Sequence, residues 1–113
     1  MTTEYVAPKK QIEHKTTFKL ALCQLKATSS KAHNLKRAEE MVTTASNNGA
    51  DVIMLPEMFN CPYTEEYMLK EKEFADENNH GQTYQVLQDL AISTGKWIIG
   101  GSMPEAIKGS DKI

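Results

Sequence analysis

The 113-residue chain has two cysteines, Cys23 and Cys61, too few for a disulfide framework. The fold must therefore rest on its apolar core and its hydrogen bonds, and two spare thiols suit a reducing compartment. Positive charge is not in excess either. Thirteen lysines and arginines stand against fifteen aspartates and glutamates, a formal net charge of −2. With no basic stripe to draw in phosphates, a broad nucleic-acid surface is not expected. No apolar run approaches the ~20 residues of a membrane-spanning helix, so no membrane partner is expected. His14, His33 and His80 show no ligand spacing with one another or with the cysteines, and no metal site is expected. Residues 1–17 lack arginine and any apolar central stretch, and they carry Glu4 and Glu13. They read as a flexible polar tail and not a secretory signal, which makes the cytoplasm the expected location, with a mitochondrial one the alternative that this N-terminus does not support.

What is present is the composition of an ordinary globular domain, 40% hydrophobic and 25% charged, with room for one domain over residues 18–113. Phe18 to Leu25 is a short apolar run and predicts a first strand. Ser29 or Ser30 then caps a helix whose buried stripe is Leu35, Ala38, Met41, Val42 and Ala45. Asn47-Asn48-Gly49 ends it, because Asn and Gly tolerate the left-handed turn required there. Asp51 to Leu55 is a second strand, which stops where Pro56 removes a backbone donor. Thr64 caps a short helix running to about Glu73, and Phe74 to His80 reads as a loop. Gly81 to Thr94 is a second main helix with Tyr84, Leu87, Leu90 and Ala91 on one face, closed by Gly95. Trp97 to Gly101 is a third strand, Lys108 to Asp111 a turn, and Lys112-Ile113 the opening of a return strand. This order predicts an α/β unit with mainly parallel strands and right-handed crossovers.

The strands Leu20–Leu25, Val52–Leu55 and Trp97–Ile99 are apolar on both alternating faces, as in a sheet covered on both sides. Two crossover helices on one side cover one face only. The other would expose roughly 500 Å² of apolar surface, more than a soluble monomer commonly shows. At about 25 cal/mol per Å² that is on the order of 10 kcal/mol of missing burial. A further layer is implied.

Glu57 is the leading chemical candidate. It ends the apolar run Val52 to Leu55 and follows Pro56, at the strand end where open α/β sheets bind ligands. There it can act as a general acid and base, partly buried behind Phe59 and Tyr63; the alternative is a helix-capping or solvated surface carboxylate. Cys61 lies four residues on, but no histidine is placed to activate it, so it reads as a structural thiol; Cys23 reads as a small core residue. Gly100-Gly101-Ser102 lacks the phosphate-loop patterns and reads as a close backbone approach or a bulge. The acidic run Glu65 to Glu77 reads as a solvated face.

Phe18 to Leu25, Asn34 to Ala38, Leu55-Pro56-Glu57-Met58-Phe59-Asn60-Cys61-Pro62-Tyr63 and Ile99-Gly100-Gly101-Ser102-Met103-Pro104-Glu105, in that order, together resemble the nitrilase superfamily. The resemblance is to the Nit branch that contains omega-amidases, and it runs from about residue 18 to the C-terminus. It implies a partial α-β-β-α sandwich, of which the chain carries the first β-α-β-α-β portion. It also implies cofactor-free hydrolysis of the amide of a small dicarboxylic acid monoamide by a Glu-Lys-Cys triad, and a homodimer for the full-length family. Glu57 matches the triad glutamate, and Tyr63 and Phe59 would border the substrate pocket. No lysine here matches the oxyanion position, and neither Cys23 nor Cys61 sits in the nucleophile's motif. The resemblance thus leaves the chain alone without activity. The alternative is a non-catalytic interaction module that uses the open sheet face to bind a partner or a full-length paralogue. An independent flavodoxin-like domain ranks last, because it needs at least one more strand.

Overall fold

A computed structural model describes residues 17–77 and 79–113, so all but Thr17 of the expected tail lies outside the described residues. In chain order, Leu20–Leu22 forms β1, Lys31–Asn47 α1, Val52–Met54 β2, Glu65–Glu71 α2, Ala75–Asp76 β3, Asn79–His80 β4, Gln82–Thr94 α3 and Trp97–Ile99 β5. The main strands are shorter than the apolar runs that announce them. Pairing nevertheless continues past their ends: the Cys23 N–H donates to the Met54 carbonyl at 2.8 Å and the Leu55 N–H to that of Ile99 at 2.9 Å.

Local chemistry sets the helix ends. Ser30 is the N-cap of α1, in extended backbone, and its hydroxyl accepts the His33 N–H at 3.2 Å. Beyond Asn48, Gly49 takes φ +84° and turns the chain back toward β2. Thr64 caps α2 in the same way as Ser30, accepting from the Tyr67 N–H. At the start of α3 Gly81 has no side chain to offer, and a distant carboxylate takes the free Thr83 N–H instead. Gly95 closes α3 in the left-handed conformation.

Three expectations are corrected. The stretch read as a loop, Phe74 to His80, contains a small antiparallel ladder that pairs Ala75 with His80 and Asp76 with Asn79. It has no alternating apolar pattern to announce it. The inward face of α3 begins at Thr83, which is buried, while Tyr84 points outward and stacks on His80 with ring centroids 4.8 Å apart. The turn at Lys108-Gly109 is present, but Lys112 and Ile113 join no strand among the described residues.

β1, β2 and β5 form a parallel sheet in the order β1-β2-β5, with Leu20, Val52 and Trp97 in one row, Ala21, Ile53 and Ile98 in the next, and Leu22, Met54 and Ile99 in the third. The middle row faces the helices. Ile53 is fully buried among Leu35, Ala38, Val42 and Leu90, and α1 and α3 pack against each other above it. The outer rows face the other way. Leu20, Leu22, Met54, Trp97 and Ile99, with Phe18 beside them, are exposed, Leu22 by 62%. The chain thus builds an α/β layer pair whose second sheet face lies open among the described residues.

Candidate functional site

Glu57 stands just beyond the C-terminal end of β2, the central strand. The Leu55 N–H makes the last rung to Ile99, and Pro56 has no N–H with which to continue. From there the backbone is gripped by the segment that follows β5. The Glu57 carbonyl accepts the Ser102 N–H at 2.5 Å and the Ser102 hydroxyl at 3.1 Å. Gly101 sits at φ +68°, and a Cβ at this position would run into the carbonyl oxygens of Pro56 and Glu57. Gly-Gly-Ser is therefore a close backbone approach that locates the carboxylate-bearing residue.

The side chains around Glu57 depart from expectation. Glu57 itself is exposed, not partly buried. Phe59 is 1% exposed and belongs to the hydrophobic core. Packed there it pins the loop from beneath. Tyr63 is 69% exposed on the surface of the described residues. No hydrogen bond reaches the Glu57 carboxylate among the described residues, and what the structure fixes there is the backbone that carries it.

Three residues on, a buried polar network holds the same loop. The Asn60 amide donates to Glu73 Oε2 at 3.2 Å and to the Thr83 hydroxyl at 3.1 Å, while the Asn60 carbonyl accepts from Asn34 Nδ2 at 2.9 Å. Asn34 also closes the turn before α1, donating to the Thr28 carbonyl and accepting from the Thr28 N–H and hydroxyl. Glu73 Oε1 takes the Thr83 N–H at 2.7 Å, and Oε2 takes the Thr83 hydroxyl at 2.5 Å and lies 3.1 Å from the Lys31 ammonium. Burial pushes the Glu73 carboxyl pKa up. The Thr83 hydroxyl and amide and the Lys31 ammonium outweigh that push, and the carboxyl ends below its ordinary value. It is an anion at the N-terminus of α3, where free N–H groups and the helix dipole favour one.

Sequence reasoning missed this network, because Glu73 lay within the run Glu65 to Glu77 read as a solvated face. One signal was available: Thr83, Leu87 and Leu90 at i, i+4 and i+7 define the inward stripe of α3 better than Tyr84 does.

The remaining candidates offer no second chemical group. Cys61 is buried, and burial raises its thiol pKa against the pull of Lys31, with Glu71 and Glu73 adding to the rise. Cys23 is a core thiol raised by burial alone. A depression of about 160 Å³ beside the Gly-Gly-Ser turn is lined by Thr83, Tyr84, Leu87 and residues 100–103. Among the described residues no cluster of three metal-ligating side chains occurs, and no helix is long and apolar enough to cross a membrane. The arrangement fixes the backbone that carries the Glu57 carboxylate, and among the described residues it supplies no activated nucleophile.

Comparison with known proteins shows what this geometry is shared with. Residues 19–113 match the carbon–nitrogen hydrolase family. Omega-amidase NIT2 of Danio rerio is 43% identical over 88 residues, which cover 78% of this chain and 30% of the fish protein. Hydrolase C26A3.11 of Schizosaccharomyces pombe is 39% identical over 92 residues, 81% of this chain and 28% of the yeast protein. The crystal structure of Saccharomyces cerevisiae Nit3, a member of branch 10 of the nitrilase superfamily, superposes with a TM-score of 0.74 at 31% identity, over 83% of this chain and 36% of that one. The chain spans about a third of the length of the curated relatives it matches.

Proposed function

The chain belongs to the carbon–nitrogen hydrolase family, and from that membership we propose that it is the N-terminal portion of an omega-amidase-like hydrolase, with Glu57 as its catalytic carboxylate. The substrate class is a monoamide of a small dicarboxylic acid, of the succinamate or 2-oxoglutaramate type. One observation carries the reading: an exposed carboxylate on an anchored backbone stands at the C-terminal end of the central parallel strand, in a chain about 40% identical to omega-amidases.

In this reading the nucleophilic cysteine and the lysine come from polypeptide outside these 113 residues, since the thiols of Cys23 and Cys61 are buried and raised. The thiolate adds to the amide carbonyl, and the ammonium stabilises the tetrahedral oxyanion. Glu57 takes the proton that the cysteine thiol gives up on attack and hands it to the leaving ammonia. It then takes one from the water that releases the carboxylic acid and the free thiol. Neither a metal nor an organic cofactor has a part in these steps. A homodimer and a cytoplasmic location belong to the same proposal.

The test has two arms. The purified 113-residue chain should turn over no succinamate, and measurable turnover would defeat the claim that the other triad members lie elsewhere. In the full-length polypeptide, Glu57→Gln should lower kcat by on the order of 1,000-fold, within the range of a lost general acid–base. Retention of near-native kcat would remove Glu57 from the mechanism.

A second reading, a non-catalytic module that binds a partner, is favoured by one observation, the open row of Leu20, Leu22, Met54, Trp97 and Ile99. The mass of the endogenous protein separates the two. A species well above 12.7 kDa favours the hydrolase, and a 12.7 kDa subunit held in a complex favours the module.

A further inference from the structure

We propose that Glu73 is a positioning residue for Glu57: acting through Asn60, it fixes the backbone on which the proton-transferring carboxylate stands. The proposal rests on the reading of Glu57 as the catalytic carboxylate.

Glu73 is 8% exposed, and both its oxygens are engaged, one by the Thr83 N–H and the other by the Thr83 hydroxyl, Asn60 and Lys31. Its main chain is engaged as well: the N–H donates to the Pro104 carbonyl at 2.9 Å, and the carbonyl accepts the Ala106 N–H at 2.7 Å. Space around it is tight enough that a Cβ on Gly81 would collide with its side chain. Glu73 thus ties together α1 through Lys31, α3 through Thr83 and the segment after β5 through Pro104 and Ala106. The element it presents to the site is Asn60. The Asn60 carbonyl is clasped by Asn34, so the loop from Pro56 to Asn60 is held at its far end by both groups of Asn60 and at its near end by Ser102.

This matters because the Glu57 carboxylate has no side-chain support among the described residues. What is fixed is the backbone it springs from, held between those two anchors. A buried charge is an expensive way merely to fill space, and an apolar residue of similar volume often stabilises a protein as well or better. What the charge supplies here is direction. It accepts from four donor groups on three residues and directs the Asn60 amide N–H inward.

The test uses the full-length polypeptide and succinamate. In Glu73→Gln the new amide faces the Asn60 amide donor to donor. We expect kcat to fall by on the order of 10- to 100-fold, the scale of a misplacement of about 1 Å, with KM unchanged within about twofold. The double variant Glu73→Gln/Asn60→Asp exchanges donor and acceptor and should recover most of kcat. Hydrogen exchange of a peptide covering residues 56–62 should rise in the single variant and return in the double. Thr83→Val, which keeps shape but removes the hydroxyl bonds to Glu73 and Asn60, is the milder second variant and should show the same signature with a smaller loss.

Unchanged kcat in Glu73→Gln, with Glu57→Gln inactive, overturns the proposal while sparing the role of Glu57. Loss of kcat that the double variant does not rescue, with exchange rising throughout the protein, also overturns it, because the role is then structural only. An active Glu57→Gln defeats the underlying reading instead, and the exchange of residues 56–62 then decides alone whether Glu73 orders the loop.

Discussion

Replacing Gly101 by alanine separates two costs that are usually confounded. Gly101 and Gly95 have nearly the same backbone, φ +68° and +66°, so a side chain at either meets the same left-handed penalty of about 1–2 kcal/mol. Their surroundings differ. Nothing lies within 4 Å of a Cβ on Gly95, whereas on Gly101 it would overlap the carbonyl oxygens of Pro56 and Glu57. Those atoms cannot step aside cheaply: the proline ring fixes φ at Pro56, and the Glu57 carbonyl holds both bonds from Ser102. Relief requires the 100–102 segment to back away. That adds a backbone hydrogen bond, worth about 1 kcal/mol, to an overpacking cost of roughly 1–3 kcal/mol. Gly95→Ala should therefore cost about 1–2 kcal/mol and Gly101→Ala about 3–6 kcal/mol. Urea unfolding of the purified protein, read as a shift in midpoint at constant m-value, measures both. If the two variants agree within about 0.5 kcal/mol, the close approach does not hold the loop and the reasoning fails.

Ile53→Ala, at the fully buried centre of the middle row, should destabilise the protein by about 2–5 kcal/mol; a cost below about 1 kcal/mol in urea unfolding would show that the core is centred elsewhere. Glu73 makes stability depend on acid. Its folded pKa lies below the ordinary value of 4.5, so its contribution is full above that value and is lost as pH falls through the folded pKa. Wild type should lose that part in acid titrations of unfolding free energy and Glu73→Gln should not, and parallel curves for the two would contradict the assignment. Leu22→Ser, at a position 62% exposed here, should leave the 113-residue chain within about 0.5 kcal/mol of its starting stability. In the full-length hydrolase it should cost about 2 kcal/mol, because the proposed second sheet buries this row. Equal small effects in both would mean that the face stays open.

The parts of this structure that were legible in the sequence are those written as local pattern. Ser30, Asn48 and Gly49 bound α1, Pro56 stops β2, and the apolar stripe of Leu35, Ala38 and Val42 faces the core. The open face was also legible, since strands apolar on both sides cannot be satisfied by helices on one side. The candidate site was half legible: Glu57 stands at the strand end as expected, and Gly101 is the expected close approach. What local pattern could not show is pairing at a distance. Glu73 looked like one more solvated acid, and only the meeting of Lys31, Asn60 and Thr83 makes it a buried anion. Phe59 shows the reverse. An aromatic beside a catalytic candidate reads as a pocket wall, but the loop folds it under, into the core.

The stretch after β5 fastens the Glu57 loop at two points, Ser102 at Glu57 itself and Pro104 with Ala106 at Glu73. Both fastenings lie on one short run of chain, so a partial opening that peels this run away releases them together. Part of the stiffness of the Glu57 loop is then borrowed from the docking of residues 102–106, beside the hold that Asn34 and Glu73 keep on Asn60. The amide hydrogens of Ser102, Glu73 and Ala106 should exchange with a single opening free energy. Once that run has lifted, the loop keeps its Asn60 end, and Glu57 loses the fastening at its own carbonyl.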